Sequence, residues 1–228
     1  MFTGIIQEKV ALVSLKWDSL NPHVASSCQI LVESKHPQRK SWLLGDSIAF
    51  DGVCLTIVSL EHSDLSSRFA FDVSKETLSK THFKKTLFNK EALSVPRLKE
   101  LHLEPALKMG DSLGGHLVSG HVEGVARLLS KKEDQNYLAL EFLLENENKK
   151  IAPFLISKGS VALDGTSLTL NEVRDEKDAC IFTIYLIPHT LEKCHFGLLE
   201  VGDEVNVESD LMARHFCRYQ SASKRYEE

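Results

Sequence analysis

The stretch GDSIAFDGVCLTIVSL, residues 45–60, recurs as KGSVALDGTSLTLNEV, residues 158–173. Ser47, Ala49, Asp51, Gly52, Leu55 and Thr56 fall on Ser160, Ala162, Asp164, Gly165, Leu168 and Thr169. In each copy Asp-Gly stands between two apolar runs. That is a tight-hairpin signal, because the favoured two-residue turn needs positive φ at both central positions. A second block, ETLSKTHF at 76–83, recurs as HTLEKCHF at 189–196, and both blocks recur 113 positions on. A third, TGIIQEKVALVS at 3–14, recurs as SGHVEGVARLLS at 119–130, 116 positions on. Three blocks in one order at nearly one offset indicate an internal duplication.

Each repeat reads as short strands. VALVSL and VARLLS mix apolar and polar positions, while RFAFDV and CIFTIYLI are rich in the β-branched and aromatic residues that suit a pleated surface. VGDEVNVES, residues 201–209, opens on a turn and then alternates. About six short strands in roughly 100 residues suggest a small closed barrel, which also leaves no exposed sheet edge. Residues 84–110 are charged and hold Pro96 and Pro105; they read as a connector with a short helical turn over 97–103. The tail, 209–228, has no strand pattern. Ser209 or Asp210 can cap a helix there, and Met212, Phe216 and Tyr219 form one apolar stripe at i, i+4 and i+7.

Composition narrows the partners. The net charge is −5 over 228 residues, with basic residues dispersed, which gives no reason to expect nucleic acid. The five cysteines, Cys28, Cys54, Cys180, Cys194 and Cys217, are odd in number and widely spaced, with no C-x-x-C. That argues against a disulfide framework and a zinc knuckle, and for a reducing, cytosolic setting. The N-terminus lacks the basic and apolar regions of a signal peptide, and no run approaches the ~18 apolar residues of a membrane span.

Six motifs, MFTGIIQ, DGVCLT, FDVSKETL, GGHLVSGHVEG, KGSVALDGTSLT and LIPHTLEK, occur in one order across nearly the whole chain. With them the sequence resembles the riboflavin synthase family, the alpha-chain type built from two lumazine-binding repeats. The resemblance implies an all-β fold: two similar six-stranded antiparallel Greek-key barrels followed by a C-terminal α-helix. The domains expected are 1–115, barrel and connector, 116–208, second barrel, and 209–228, a helix for trimerisation. It also implies a transferase that uses no metal and no cofactor. Two molecules of 6,7-dimethyl-8-ribityllumazine exchange a four-carbon unit, giving riboflavin and 5-amino-6-(D-ribitylamino)uracil. Further expectations are a homotrimer whose active site lies between the N-terminal barrel of one subunit and the C-terminal barrel of the next, and an association with lumazine synthase.

Residue by residue, the resemblance assigns chemistry to Cys54, His121, Ser167 and Asp210. It gives ligand contacts to Gly4, Ile5, Ile6, Leu55, Thr56, Gly120, Val122, Lys158, Leu168 and Thr169. The segment Asp72, Val73, Ser74, Lys75, Glu76, Thr77 and its copy Tyr185, Leu186, Ile187, Pro188, His189, Thr190 complete the pockets by the same resemblance. Plainer readings stand beside these. Cys54 is a small core residue by type, Ser167 a hairpin serine, Lys158 a solvated surface group and Asp210 a helix cap. By the repeat, the glycine-led turn at 119–124 edges a second ring pocket, as its copy at 3–8 edges a first. His121 replaces Ile5 there and breaks the symmetry with an imidazole whose ordinary pKa, ~6.5, suits proton handling. His116 reads as structural, and five-residue spacing sets it on the opposite strand face from His121, against a shared metal. Asp51-Gly52 and Asp164-Gly165 read as turns only. The first repeat lacks the G-D-x-V-N-V-E closing strand of the second, which leaves its last strand unassigned. Two other functions compete: a non-catalytic lumazine- or flavin-binding protein, and a double-barrel module for another ligand such as an oligonucleotide.

Overall fold

The computed structural model describes residues 1–18, 27–83, 85, 100–134 and 136–223. Six strands form the first barrel: β1 (Glu8–Trp17), β2 (Ser27–Ser34), β3 (Ser47–Phe50), β4 (Val53–His62), β5 (Ser67–Ser74) and β6 (Glu100–Pro105). The second has β7 (Gly124–Asp134), β8 (Tyr137–Glu145), β9 (Ser160–Leu163), β10 (Thr166–Asp175), β11 (Ala179–Leu186) and β12 (Glu204–Ser209). The first closes in the order β1-β2-β5-β4-β3-β6 and the second in the matching order, with every pairing antiparallel. Helix α1 (Lys75–Lys80) follows β5, α2 (Pro188–Lys193) follows β11, and α3 (Leu211–Ser223) follows β12.

Both Asp-Gly dipeptides make the turn their sequence signals. Asp51 and Gly52 have φ of 41° and 79°, Asp164 and Gly165 of 42° and 76°. Positive φ at both central residues matches the right-handed twist of the flanking strands. Each barrel fills its own interior by period-two alternation, as in β8, where every second residue is buried. Phe50, Phe69 and Phe71 pack in the first core, and Phe142, Phe182 and Phe196 in the second. A third cluster, Phe2, Ala49, Val118 and Ala162, lies on the seam between them.

Two expectations about the connector are corrected. The first barrel does have its closing strand, ELHLEP, and it pairs with both β1 and β3. Residues 100–103, expected in a helical turn, are therefore extended; 97–99 lie outside the described residues. Apolar Leu101 and Leu103 are needed to close the barrel, and that tertiary demand overrides the local helical bias. The C-terminal helix forms as its stripe suggests. It has no fully buried residue, Arg214 ties it to Glu208, and Met212, Phe216 and Tyr219 stay exposed.

Candidate active site

The two glycine-led arms cross over. Phe2 and Val118 pair with each other at the seam, N–H to carbonyl in both directions, at 2.7 and 3.1 Å. Beyond that pair, Gly4 O accepts from Ser167 N in the second barrel at 2.8 Å, and Gly120 O accepts from Cys54 N in the first at 2.9 Å. Ile6 is buried in the second core, while Val122 packs on the first. Each repeat thus supplies the arm that edges the other repeat's barrel, which the repeat pattern alone did not reveal. Glycine is required at both crossings. Gly4 and Gly120 have φ of 76° and 81°, and a Cβ on either would lie 2.6 Å from Ser167 Cβ or 2.4 Å from Cys54 Cβ.

Two carboxylates anchor the arms, and the sequence reading assigned neither a role. Glu104 accepts from Thr3 N, Thr3 Oγ1 and Gly4 N at 2.7, 2.8 and 3.0 Å. Glu208 accepts from Ser119 N, Ser119 Oγ and Gly120 N at 2.7, 2.7 and 2.9 Å. Burial raises the pKa of Glu104, and the arm's N–H and O–H donors oppose that rise. The signal was present in the sequence: HLEP and NVES place a glutamate at one repeat position.

Against the first barrel, Cys54, Thr77, Lys80 and His121 line a cavity of about 200 Å³ together with Val53, Glu76, Thr81, Gly120 and Val122. Ser74 caps α1 by accepting from Thr77 N at 3.2 Å, and Glu76 pairs with Lys80 at 2.8 Å. Cys54 and Thr56 project from one face of β4, whereas the side chains of Leu55 and Val73 point into the core. Asp72 is exposed and accepts from Gln29 Nε2 at 3.0 Å; Lys75 is exposed. Burial pushes the thiols of Cys28 and Cys180 up to about 12 and of Cys194 to about 11, whereas Cys54 is half-buried and lines the cavity beside His121.

The second barrel presents different groups at the same places. Ser167 shares a hydrogen bond with His116 Nδ1 at 2.7 Å. His116 Nε2 is buried without a partner, and burial lowers the ring's pKa while Asp210 and Glu208 oppose that shift. His116 was expected to be structural and across a strand from His121. Neither lies in a strand, and Gly115 lets the link run close enough for the contact: a Cβ there would be 2.8 Å from Ser167 Oγ. Asp210 caps α3, accepting from Met212 N at 2.8 Å. Leu168 and Leu186 sit in the core, Thr190 is half-buried, and Thr169, Tyr185, Ile187, Pro188 and His189 are exposed. Ile5 is also exposed, next to Gly114. Lys158 is exposed at the turn before β9, with a left-handed φ of 67°.

Asp51, His102 and His195 bring one ligand atom each within 4.8 Å of one another, but they do not fit a metal. His102 commits Nδ1 to Asp164 O and Nε2 to His195 N–H, both at 2.9 Å. Its ring stacks on that of His195 at 3.8 Å and 15°, so the in-plane lone pairs run side by side rather than converge.

The sequence profile of the family described as "Lumazine binding domain" matches residues 3–91 and again 119–210. A riboflavin synthase of Brucella abortus (strain 2308) is 37% identical over 219 residues, covering 96% of this chain and 97% of that protein. One of Chlamydia pneumoniae is 37% identical over 216 residues, 94% of this chain and 92% of the other. One of Bacillus subtilis (strain 168) is 31% identical over 219 residues, 96% and 89%. Among solved structures, LumP complexed with 6,7-dimethyl-8-(1'-D-ribityl) lumazine superposes with a TM-score of 0.70 at 20% identity, covering 92% of this chain and 99% of that one. That last likeness speaks to the fold alone. Two matched repeats and full-length relatives at this identity lead to one assignment: the chain belongs to the riboflavin synthase family of two-repeat lumazine-binding proteins.

Proposed function

We propose that the chain is a riboflavin synthase, dismutating two molecules of 6,7-dimethyl-8-ribityllumazine into riboflavin and 5-amino-6-(D-ribitylamino)uracil. The observation that carries this is a pair of sites alike in backbone and unlike in chemistry. Cys54 and His121 stand at one, and Ser167, Ile5 and His116 at the other. Two identical reactants must take opposite roles, donor and acceptor of the four-carbon unit. Equal folds recognise the same ring, and unequal side chains assign the roles. The reaction balances without an outside oxidant, since the atoms lost by one lumazine are those gained by the other.

The substrate supplies much of the reactivity, because its C7 methyl proton is acidic through delocalisation into the bicyclic ring. The arms offer backbone N–H and C=O groups to the edge of that ring. His121, Cys54, Ser167 and Asp210 are the proposed proton handlers or nucleophiles. Thr56, Thr77, Thr169 and Thr190, with the turns into α1 and α2, are the proposed contacts to ring and ribityl hydroxyls. Holding two rings face to face contributes about 7–11 kcal/mol when the reacting geometry is fixed.

A cavity of about 200 Å³ suits one ring system, so two sites must face each other. A homotrimer pairing the N-terminal barrel of one subunit with the C-terminal barrel of the next meets this need, and the exposed stripe of Met212, Phe216 and Tyr219 supports association through α3. Lys158 then reaches substrate from a neighbouring subunit. Free cysteines fit a cytosolic location, and association with lumazine synthase remains part of the proposal.

The test is to mix purified protein with 6,7-dimethyl-8-ribityllumazine alone and follow riboflavin absorbance. Riboflavin and the uracil product forming one to one supports the enzyme. Tight binding without turnover replaces it with a binding protein, and no binding removes lumazine altogether.

A further inference from the structure

The Asp51-Gly52 and Asp164-Gly165 turns meet back to back: a Cβ on Gly52 would lie 2.6 Å from Gly165 N. Around them His82, His102, His195 and Asn206 are all buried. The polar groups form two equivalent circuits, one from each repeat. Asn206 N donates to Asp164 Oδ1 at 2.7 Å, its Nδ2 donates to Asp51 O at 2.8 Å, and its Oδ1 accepts from His82 N at 2.9 Å. Across the pseudo-dyad, His102 N donates to Asp51 Oδ1 at 2.8 Å, its Nδ1 bonds Asp164 O at 2.9 Å, and its Nε2 accepts from His195 N at 2.9 Å. An imidazole here makes the two side-chain bonds that the carboxamide of Asn206 makes across the dyad, one as donor and one as acceptor. A carbonyl only accepts and a backbone N–H only donates, so the ring must be the neutral Nδ1–H tautomer.

The turns these circuits hold lead directly into the sites. Asp51 is three residues before Cys54, and Asp164 three before Ser167. We propose that His102 is a positioning residue: as a neutral imidazole doing the work of Asn206, it locks the two hairpins in register and so sets the placement of Cys54 and Ser167. Protonation at Nε2 would set two N–H groups against each other and unlock one half of the dyad. Several groups face the ring. Asp51 and Asp164 come from the turns, His195 from the segment after α2, and the charge of Lys9 reaches it from β1, while His82, after α1, bonds the same Asp164 carboxylate. Burial, then His195 stacked upon it, holds His102 well below its ordinary 6.5 against the pull of Asp164.

The sign follows. In the unfolded chain His102 takes a proton near 6.5, and in the folded chain it does not. The stability it contributes is therefore complete above that pH and is lost as pH falls toward its folded value. A His102→Asn variant carries the same donor and acceptor pair as Asn206 and cannot be protonated, whereas His102→Leu loses the two bonds made by the side chain.

The experiment measures melting temperature from pH 5 to 8, riboflavin binding, and turnover for the parent, H102N and H102L. At pH 7.5, H102N is expected to hold kcat within about threefold of the parent, and H102L to lose about tenfold or more, with weaker riboflavin binding. Below pH 6.5 the folding equilibrium of the parent should drop by up to about tenfold per pH unit relative to H102N. Equal damage in both variants, or parallel pH dependences for parent and H102N, would overturn the proposal. If H102L does not fold, the H102N comparison still decides. Only the turnover arm rests on the riboflavin synthase reading. A parent that binds and melts as expected without turnover refutes that reading and leaves this one standing.

Discussion

His116 Nδ1 and Ser167 Oγ lie 2.7 Å apart, with the far nitrogen of the ring buried and unpartnered. A neutral ring with its proton on Nε2 takes the serine proton at Nδ1; a protonated ring cannot. Ser167 is therefore the better base or nucleophile only while His116 is neutral, and burial favours the neutral ring against the pull of Asp210 and Glu208. His116→Ala is expected to lower kcat by about tenfold to 1,000-fold, within the range for a lost acid–base group, with a smaller change in substrate affinity. The acid limb of kcat in the parent should lie below pH 6.5. Steady-state rates across pH 5 to 8 check both points, and equal losses in kcat and affinity would reduce His116 to a packing residue.

Gly120 approaches Cys54 so closely that a side chain has no room, and its φ of 81° disfavours one in any case. Gly45 has a φ of 90° but nothing within 4 Å of its Cβ position. Gly120→Ala should therefore cost more than the strain alone, separating the second arm from the first barrel and abolishing riboflavin binding at that site. Gly45→Ala should cost only the backbone term, about 1 kcal/mol. Thermal melting of the two variants beside the parent measures the difference; equal losses would show that the arm crossing does not constrain Gly120.

The barrels were legible because their information is local. Asp-Gly between apolar runs fixes each hairpin, and the recurrence of whole blocks fixes the second barrel once the first is read. The crossing of the arms was not legible, since TGIIQ and SGHVE carry the same local pattern whichever barrel receives them. Only the burial of Ile6 in the second core and the packing of Val122 on the first distinguish the choices. His116 was missed for a similar reason, as its partner Ser167 is 51 residues away and nothing in GGH names it. Strand β6 was obscured because the first repeat has a longer run before it than the second has before β12, which displaces HLE from the offset that aligns the other blocks.

Glu208 draws three donors from Ser119 and Gly120 and is itself approached by Arg214 of α3 at 3.4 Å. Glu208→Gln keeps the volume but turns one oxygen into a donor, which then faces Gly120 N–H or the Ser119 pair. The loss should be about 1–3 kcal/mol for the unpaired group. It should appear mainly as weaker ligand binding beside Cys54, because His121 rides on the arm that Glu208 holds. Glu104→Gln does the same to the first arm and should weaken the Ser167 site. Riboflavin titration followed by fluorescence, with each variant compared against the parent, checks the assignment; if both variants weakened the same site, the crossed-arm account would fail.

Lys158 occupies a left-handed backbone position where the first repeat has Gly45, with φ of 67° against 90°. A lysine there costs about 1–2 kcal/mol relative to glycine, and nothing local offsets that cost, since the side chain stands exposed. Strain kept at one repeat and absent from the other fits a side chain needed beyond its own barrel. Lys158→Gly should therefore raise the melting temperature by a few degrees while lowering turnover. Lys158→Met, which keeps the strain and removes the charge, should lower turnover without the gain in stability. Calorimetry and rate measurements on both variants separate the two effects. If Lys158→Gly is more stable and equally active, the lysine has no part in the reaction and its strained turn is unexplained.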